Sequence, residues 1–104
     1  MKNAVFGLLV FSLLMVSCKK SSTSPAYTPD CSGAAKSFSS NVLPVIQSSC
    51  VGCHSKYSNY SGITADKAAI KSTIVDGSMP QGSSLSTAQK NSVVCWIDNG
   101  ALNN

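Results

Sequence analysis

The chain has 104 residues and a net charge of +4, carried by eight basic residues, all Lys, against four acidic residues, all Asp. That length holds one small domain. The lysines are scattered and no Arg is present to grip phosphate, which excludes a nucleic-acid surface, and the Asp residues form no acid/base constellation for an enzyme.

Residues 1–17 read as a targeting segment. Lys2 supplies a basic start, and Ala4 to Val16 is an apolar run too short for a transmembrane helix with ordinary flanks. The run ends Leu14-Met15-Val16-Ser17-Cys18, which resembles the bacterial lipoprotein signal. In that pattern a small residue precedes a Cys that is lipidated and becomes the mature N-terminus, so Cys18 is the expected lipid site. An uncleaved N-terminal anchor is the alternative. Either reading exports the domain and holds it at a bacterial membrane, facing the periplasm or the outside. One acyl chain binds only marginally, so stable anchoring needs the two or three chains typical of bacterial lipoproteins.

Residues 18–30 form a tether rich in Ser, Thr and Pro with almost nothing to bury. Lys19-Lys20 either lie against anionic head groups or simply begin a solvated linker. The domain spans 31–104.

Phe38, Val42, Leu43, Val45 and Ile46 recur at helical spacing. Pro44 is tolerated only in a first turn. The helix is therefore expected to start near Asn41 or Val42, capped by Ser40 or Asn41, and to run to Ser49.

It delivers Cys50-Val51-Gly52-Cys53-His54, the CxxCH pattern of c-type haem attachment. Two thiols one short turn apart add to the two vinyl groups on one edge of the porphyrin, and the adjacent imidazole is held beneath the iron. A zinc knuckle wants four ligands in two spaced pairs, and no second pair is close by. A reactive CxxC usually opens a helix, where the dipole lowers the thiolate pKa, and this one follows a helix. Haem c with its iron is thus the favoured cofactor, with zinc and thiol redox as the alternatives.

Ser55 to Gly62 reads as a loop of turn formers. Its Tyr57 and Tyr60 either edge the haem or stand half-exposed. Thr64 reads as the cap of a helix in which Ile63, Ile70, Ile74 and the alanines share a stripe, and Gly77 closes it. In Ser78-Met79-Pro80, proline pushes Met79 towards an extended backbone. Such a strap can aim the thioether at the ring face opposite His54, the only His in the chain. The alternative is Met79 as core filling, which leaves the iron with an open site. Ser84 to Gly100 is the clearest helix, with a capping box at Ser86 and Gln89, a staple at Leu85, and Val93, Trp96 and Ile97 facing inward. With Cys18 assigned to lipid and Cys50 and Cys53 to haem, Cys31 and Cys95 remain. An oxidising compartment would bridge them; two separate buried thiols are the alternative.

Taken together, Cys50 to His54, Met79-Pro80 and a last helix carrying Trp96-Ile97 before Gly100-Ala101 resemble a short class I cytochrome c domain. The likeness is to the compact lipoprotein cytochromes and planctomycete-type modules of bacteria. The resemblance implies a compact all-α fold of three to four helices around one covalent haem, with the first and last helices crossing. It implies Cys50 and Cys53 as thioether anchors and His54 and Met79 as axial ligands. The implied function is one-electron transfer between membrane-side redox partner proteins, as a monomer and not as an enzyme. A haem peroxidase or gas sensor is the alternative if Met79 does not bind iron. A non-haem zinc or structural module is the third reading. Two departures stand out: only 79 − 54 = 25 positions separate the ligands, and the Gly-Pro that often follows the haem motif is missing. In the family a backbone carbonyl there orients the imidazole; Ser61-Gly62 is the candidate substitute.

Overall fold

The computed structural model describes residues 26–104, and the expected signal segment and lipid site Cys18 lie outside them. The described residues form a small all-α fold without strands. Its helices are α1 (Leu43–Ser49), α2 (Tyr60–Ala65), α3 (Lys67–Asp76) and α4 (Thr87–Asp98). A π turn over Phe38–Val42 leads into α1, and a 3-10 turn over Ser55–Ser58 precedes α2. No helix among the described residues is long and apolar enough to cross a membrane.

The first helical segment begins earlier than its sequence indicates. Ser37 is the cap: its hydroxyl accepts from the Ser40 amide (3.2 Å), and its own amide donates to Asn41 Oδ1 (2.9 Å). Proline in a regular helix clashes with the carbonyl four residues back. Here the Val42 amide reaches back five residues to the Ser37 carbonyl (3.3 Å), so the widened turn lies ahead of Pro44, which sits in the first turn of α1. The remaining orphan amides of this end find a distant partner. Phe38 N–H donates to Asn104 Oδ1 (3.0 Å) and Ser39 N–H to the Asn104 carbonyl (2.9 Å).

The stretch 55–62, expected as loop, is helical for most of its length. Asn59 caps α2 by accepting from the Gly62 amide (2.9 Å). Thr64 is therefore not a cap; it lies inside α2 and its hydroxyl donates to the Tyr60 carbonyl (2.9 Å). Asp66 links α2 to α3, which stops at Gly77 in the left-handed region (φ 80°). The capping box of α4 is present on both sides: Ser86 Oγ accepts from the Gln89 amide (3.2 Å), and Gln89 Oε1 accepts from the Ser86 amide (2.9 Å).

The core joins the π turn and all four helices. Val42, Ile46, Ile63, Val93 and Val94 are completely buried, and Trp96 nearly so. Ile63, Ile70 and Ile74 face inward as expected, whereas Ala65, Ala68 and Ala69 are exposed. The centre of the core is aromatic. Phe38 meets Tyr60 edge-on at 5.2 Å and lies 5.6 Å from Trp96, between ring centroids. Both polar aromatic tips are satisfied by the closing segment: Tyr60 OH donates to the Ala101 carbonyl (2.7 Å) and Trp96 Nε1 to the Leu102 carbonyl (2.8 Å). Tyr60 is thus half-buried and packs against the core.

The other end of the described chain is fastened to α4. Cys31 and Cys95 are joined by a disulfide. Ahead of it, Tyr27 OH donates to Asn91 Oδ1 (2.7 Å), and the same oxygen accepts from the Asp30 amide (3.2 Å). The final residues of the expected tether, from Tyr27 onward, therefore dock on the domain.

Candidate haem-attachment site

α1 ends at Ser49 with Cys50 as its C-terminal cap, and the next four residues coil into one tight turn. The Cys50 carbonyl accepts from the Cys53 amide (3.2 Å) and from the His54 amide (2.8 Å). This convergence brings Cys50, Cys53 and His54 to one end of α1. Neither thiol is in a disulfide; Cys50 is half-buried and Cys53 exposed. Burial pushes the Cys50 thiol above its ordinary pKa. That is the reverse of what an activated redox thiolate needs.

Met79 arrives from α3. After Gly77 turns the chain, the Ser78 amide donates to Asp76 Oδ1 (2.7 Å) and the Met79 amide to the Thr73 carbonyl (3.2 Å). The Met79–Pro80 peptide is cis. These bonds hold the strap along the end of α3, facing the 50–54 turn.

Two adjoining cavities lie between strap and turn, and Cys50, His54, Met79 and Pro80 line both. The inner one is walled by Ile70, Thr73 and Ile74 of α3, with Leu85 and Tyr57 completing it. The outer one opens past Ser49, Cys53 and Gln81. Ile70, Ile74 and Leu85 are buried, so the inner wall is apolar and anchored in the core. No charged side chain lines either cavity.

These residues fit a covalently attached macrocycle. Two free thiols stand at one edge, an imidazole and a thioether border one space, and the walls are those a flat apolar ring requires.

Ser61-Gly62 does not take the place of the missing Gly-Pro. The Ser61 carbonyl accepts from the Thr64 hydroxyl (3.2 Å), and Gly62 is pressed against the Lys56 backbone. What lies against His54 is Tyr57, with ring centroids 5.2 Å apart and planes 29° apart. The sequence left Tyr57 open between a haem-edge residue and a half-exposed one; its spacing of three from His54 was the available signal. Tyr57 OH donates to Asp66 Oδ2 (2.9 Å), which Lys56 also reaches. The two hydrogen bonds hold the Asp66 carboxyl below the usual carboxylate range, first through Lys56 and then through Tyr57. Burial and the bond to Asp66 raise Tyr57. In comparisons with known proteins, no protein-family model, no curated protein and no solved structure matches this chain.

Proposed function

We propose that the domain is a monohaem c-type cytochrome that carries single electrons between membrane-side redox partners. The observation that carries this reading is the convergence of Cys50, His54 and Met79 on one apolar space, with Cys53 at its mouth. Haem c, when bound, supplies a one-electron iron couple. Cys50 and Cys53 would tether it, and His54 and Met79 would ligate its iron. The protein's own contribution is to fix and to dry the site. The 50–54 turn places the imidazole next to its tether, so ligation needs no separate search. The Thr73 carbonyl and Gly77 hold the Met79 strap. Ile70, Ile74 and Leu85 exclude water, and a low-dielectric pocket with a neutral sulfur ligand favours the reduced state, hence a relatively high potential. The cavity lined by Ser49, Cys53 and Gln81 would leave an edge of the ring exposed for contact with a partner. On this reading the chain is exported and lipid-anchored at Cys18.

The test is the mass and the oxidised and reduced absorption spectra of protein matured in a host that attaches haem c. The expected result is one haem mass added through Cys50 and Cys53, and a weak far-red sulfur-to-iron band that Met79→Ala abolishes. A colourless protein of bare polypeptide mass overturns the proposal. A coloured protein that binds carbon monoxide rapidly, with a spectrum indifferent to Met79→Ala, replaces the electron carrier with an open-site haem enzyme or gas sensor.

A further inference from the structure

A ring plane can be fixed by a hydrogen bond at its edge or by a surface laid against its face. His54 has such a surface in the Tyr57 ring, 5.2 Å away and inclined by 29°. Tyr57 is itself held at two points. Its amide donates to the His54 carbonyl (3.0 Å), and its hydroxyl donates to Asp66 Oδ2 (2.9 Å). Asp66 is mounted on the core by its backbone: its amide donates to the carbonyl of buried Ile63 (3.2 Å), and its carbonyl accepts from the amide of buried Ile70 (2.9 Å). The chain from core to imidazole is thus continuous: Ile63 and Ile70, Asp66, Tyr57, His54.

We propose that Tyr57 is the positioning residue of His54, and that its hydrogen bond to Asp66 sets both the imidazole plane and the electron density behind it. This inference rests on His54 being an axial haem ligand. A phenol that donates to a carboxylate becomes more electron-rich, and the negative face of its ring then meets the imidazole. An imidazole bound to ferric iron carries more positive charge than one bound to ferrous iron. The Tyr57–Asp66 pair therefore favours the ferric state and lowers the potential. The Lys56 ammonium, 5.2 Å from the Tyr57 ring centroid, draws in the opposite sense and keeps the effect to a few-fold.

The sign separates positioning from mere support. A general loosening admits water to the site, which stabilises ferric iron and lowers the potential. Loss of the Tyr57–Asp66 pair raises it.

The experiment is a spectroelectrochemical titration of the mature haem protein. It compares wild type with Tyr57→Phe, Tyr57→Leu, Asp66→Asn and the Tyr57→Leu/Asp66→Asn double variant. Tyr57→Leu is expected to shift the oxidised-to-reduced ratio at fixed potential about threefold towards reduced, equivalent to a rise of about 28 mV for a one-electron couple. Tyr57→Phe keeps the ring and loses the hydroxyl, so it moves the same way by less. The effect of Asp66→Asn shrinks by half or more once Tyr57 is gone, which is the signature of coupling through that ring. In proton NMR of the ferric protein, the spread of haem methyl shifts narrows in Tyr57→Leu and is kept in Tyr57→Phe. An unchanged or lowered potential in Tyr57→Leu, with the methyl pattern intact, overturns the proposal. If Tyr57→Leu does not mature, Tyr57→Phe and Asp66→Asn decide by the same sign. Wild-type protein without haem by mass fails at an earlier step, because it removes the haem reading itself.

Discussion

Gly62→Ala is the sharpest test of how the histidine-bearing turn is held. A Cβ built at Gly62 lies 1.7 Å from the Lys56 carbonyl oxygen and 2.8 Å from its carbon, both backbone atoms. Relief to a bare 3.0 Å needs a displacement of at least 3.0 − 1.7 = 1.3 Å between α2 and the 3-10 turn over 55–58. Overpacking of this kind costs about 1–3 kcal/mol, and the absence of a flexible side chain to absorb it points to the upper end. Alanine returns up to about 1 kcal/mol through its better helix propensity. The net loss is about 2 kcal/mol, or a melting temperature lower by about 8–16 °C for a domain of this size. Thermal melts followed by circular dichroism, with Gly33→Ala as control, measure it. Nothing lies within 4 Å of a Cβ at Gly33, so the control should melt with wild type. A Gly62→Ala protein that melts at or above the wild-type temperature refutes the packing argument.

Four further outcomes follow from other contacts. Replacing Cys31 and Cys95 by Ser opens a loop of 64 positions, and guanidinium unfolding should show a loss of about 4 kcal/mol. Tyr60→Phe leaves the Ala101 carbonyl without its donor, and the same assay should show a loss of about 1–2 kcal/mol with haem attachment intact. The carboxyl of Asp66 has its pKa depressed in the folded state, so the stability it contributes is present above about pH 4 and is lost as pH falls through the depressed folded value. The difference in unfolding midpoint between wild type and Asp66→Asn should therefore be present at neutral pH and close in acid. If the domain carries haem c as proposed, Cys50→Ala/Cys53→Ala should prevent its attachment and lose the near-ultraviolet dichroism of Trp96, because a domain this small would need the apolar plate to complete its core; a native-like signal would contradict that.

What could be read from the sequence was what is settled locally. The capping box of α4 needs only Ser86 and Gln89, three residues apart, and Gly77 ends α3 by its own backbone freedom. The CxxCH turn is equally local, its bonds running from Cys50 to residues three and four ahead. The start of the first helical segment was hidden because two of its amides are satisfied by Asn104, and because Pro44 looked like a barrier when the turn before it widens instead. The packing of Tyr60 was hidden for the same reason: its hydroxyl partner lies 41 residues away. Val94 escaped notice because α4 is buried on a broader face than a single stripe, from Val93 to Trp96. The contact of Tyr57 with Asp66 was hidden because Asp66 follows α2, whose first residues read as loop.

The clasp made by Asn104 bears on the order in which the molecule completes itself. Until Asn104 is in place, the Phe38 and Ser39 amides have only water as a partner. Tyr60 and Trp96 likewise wait for the carbonyls of Ala101 and Leu102. The turn carrying Cys50, Cys53 and His54 is mounted on the end of α1, and the bonds from Asn104 to Phe38 and Ser39 secure the opposite end of that same helical segment.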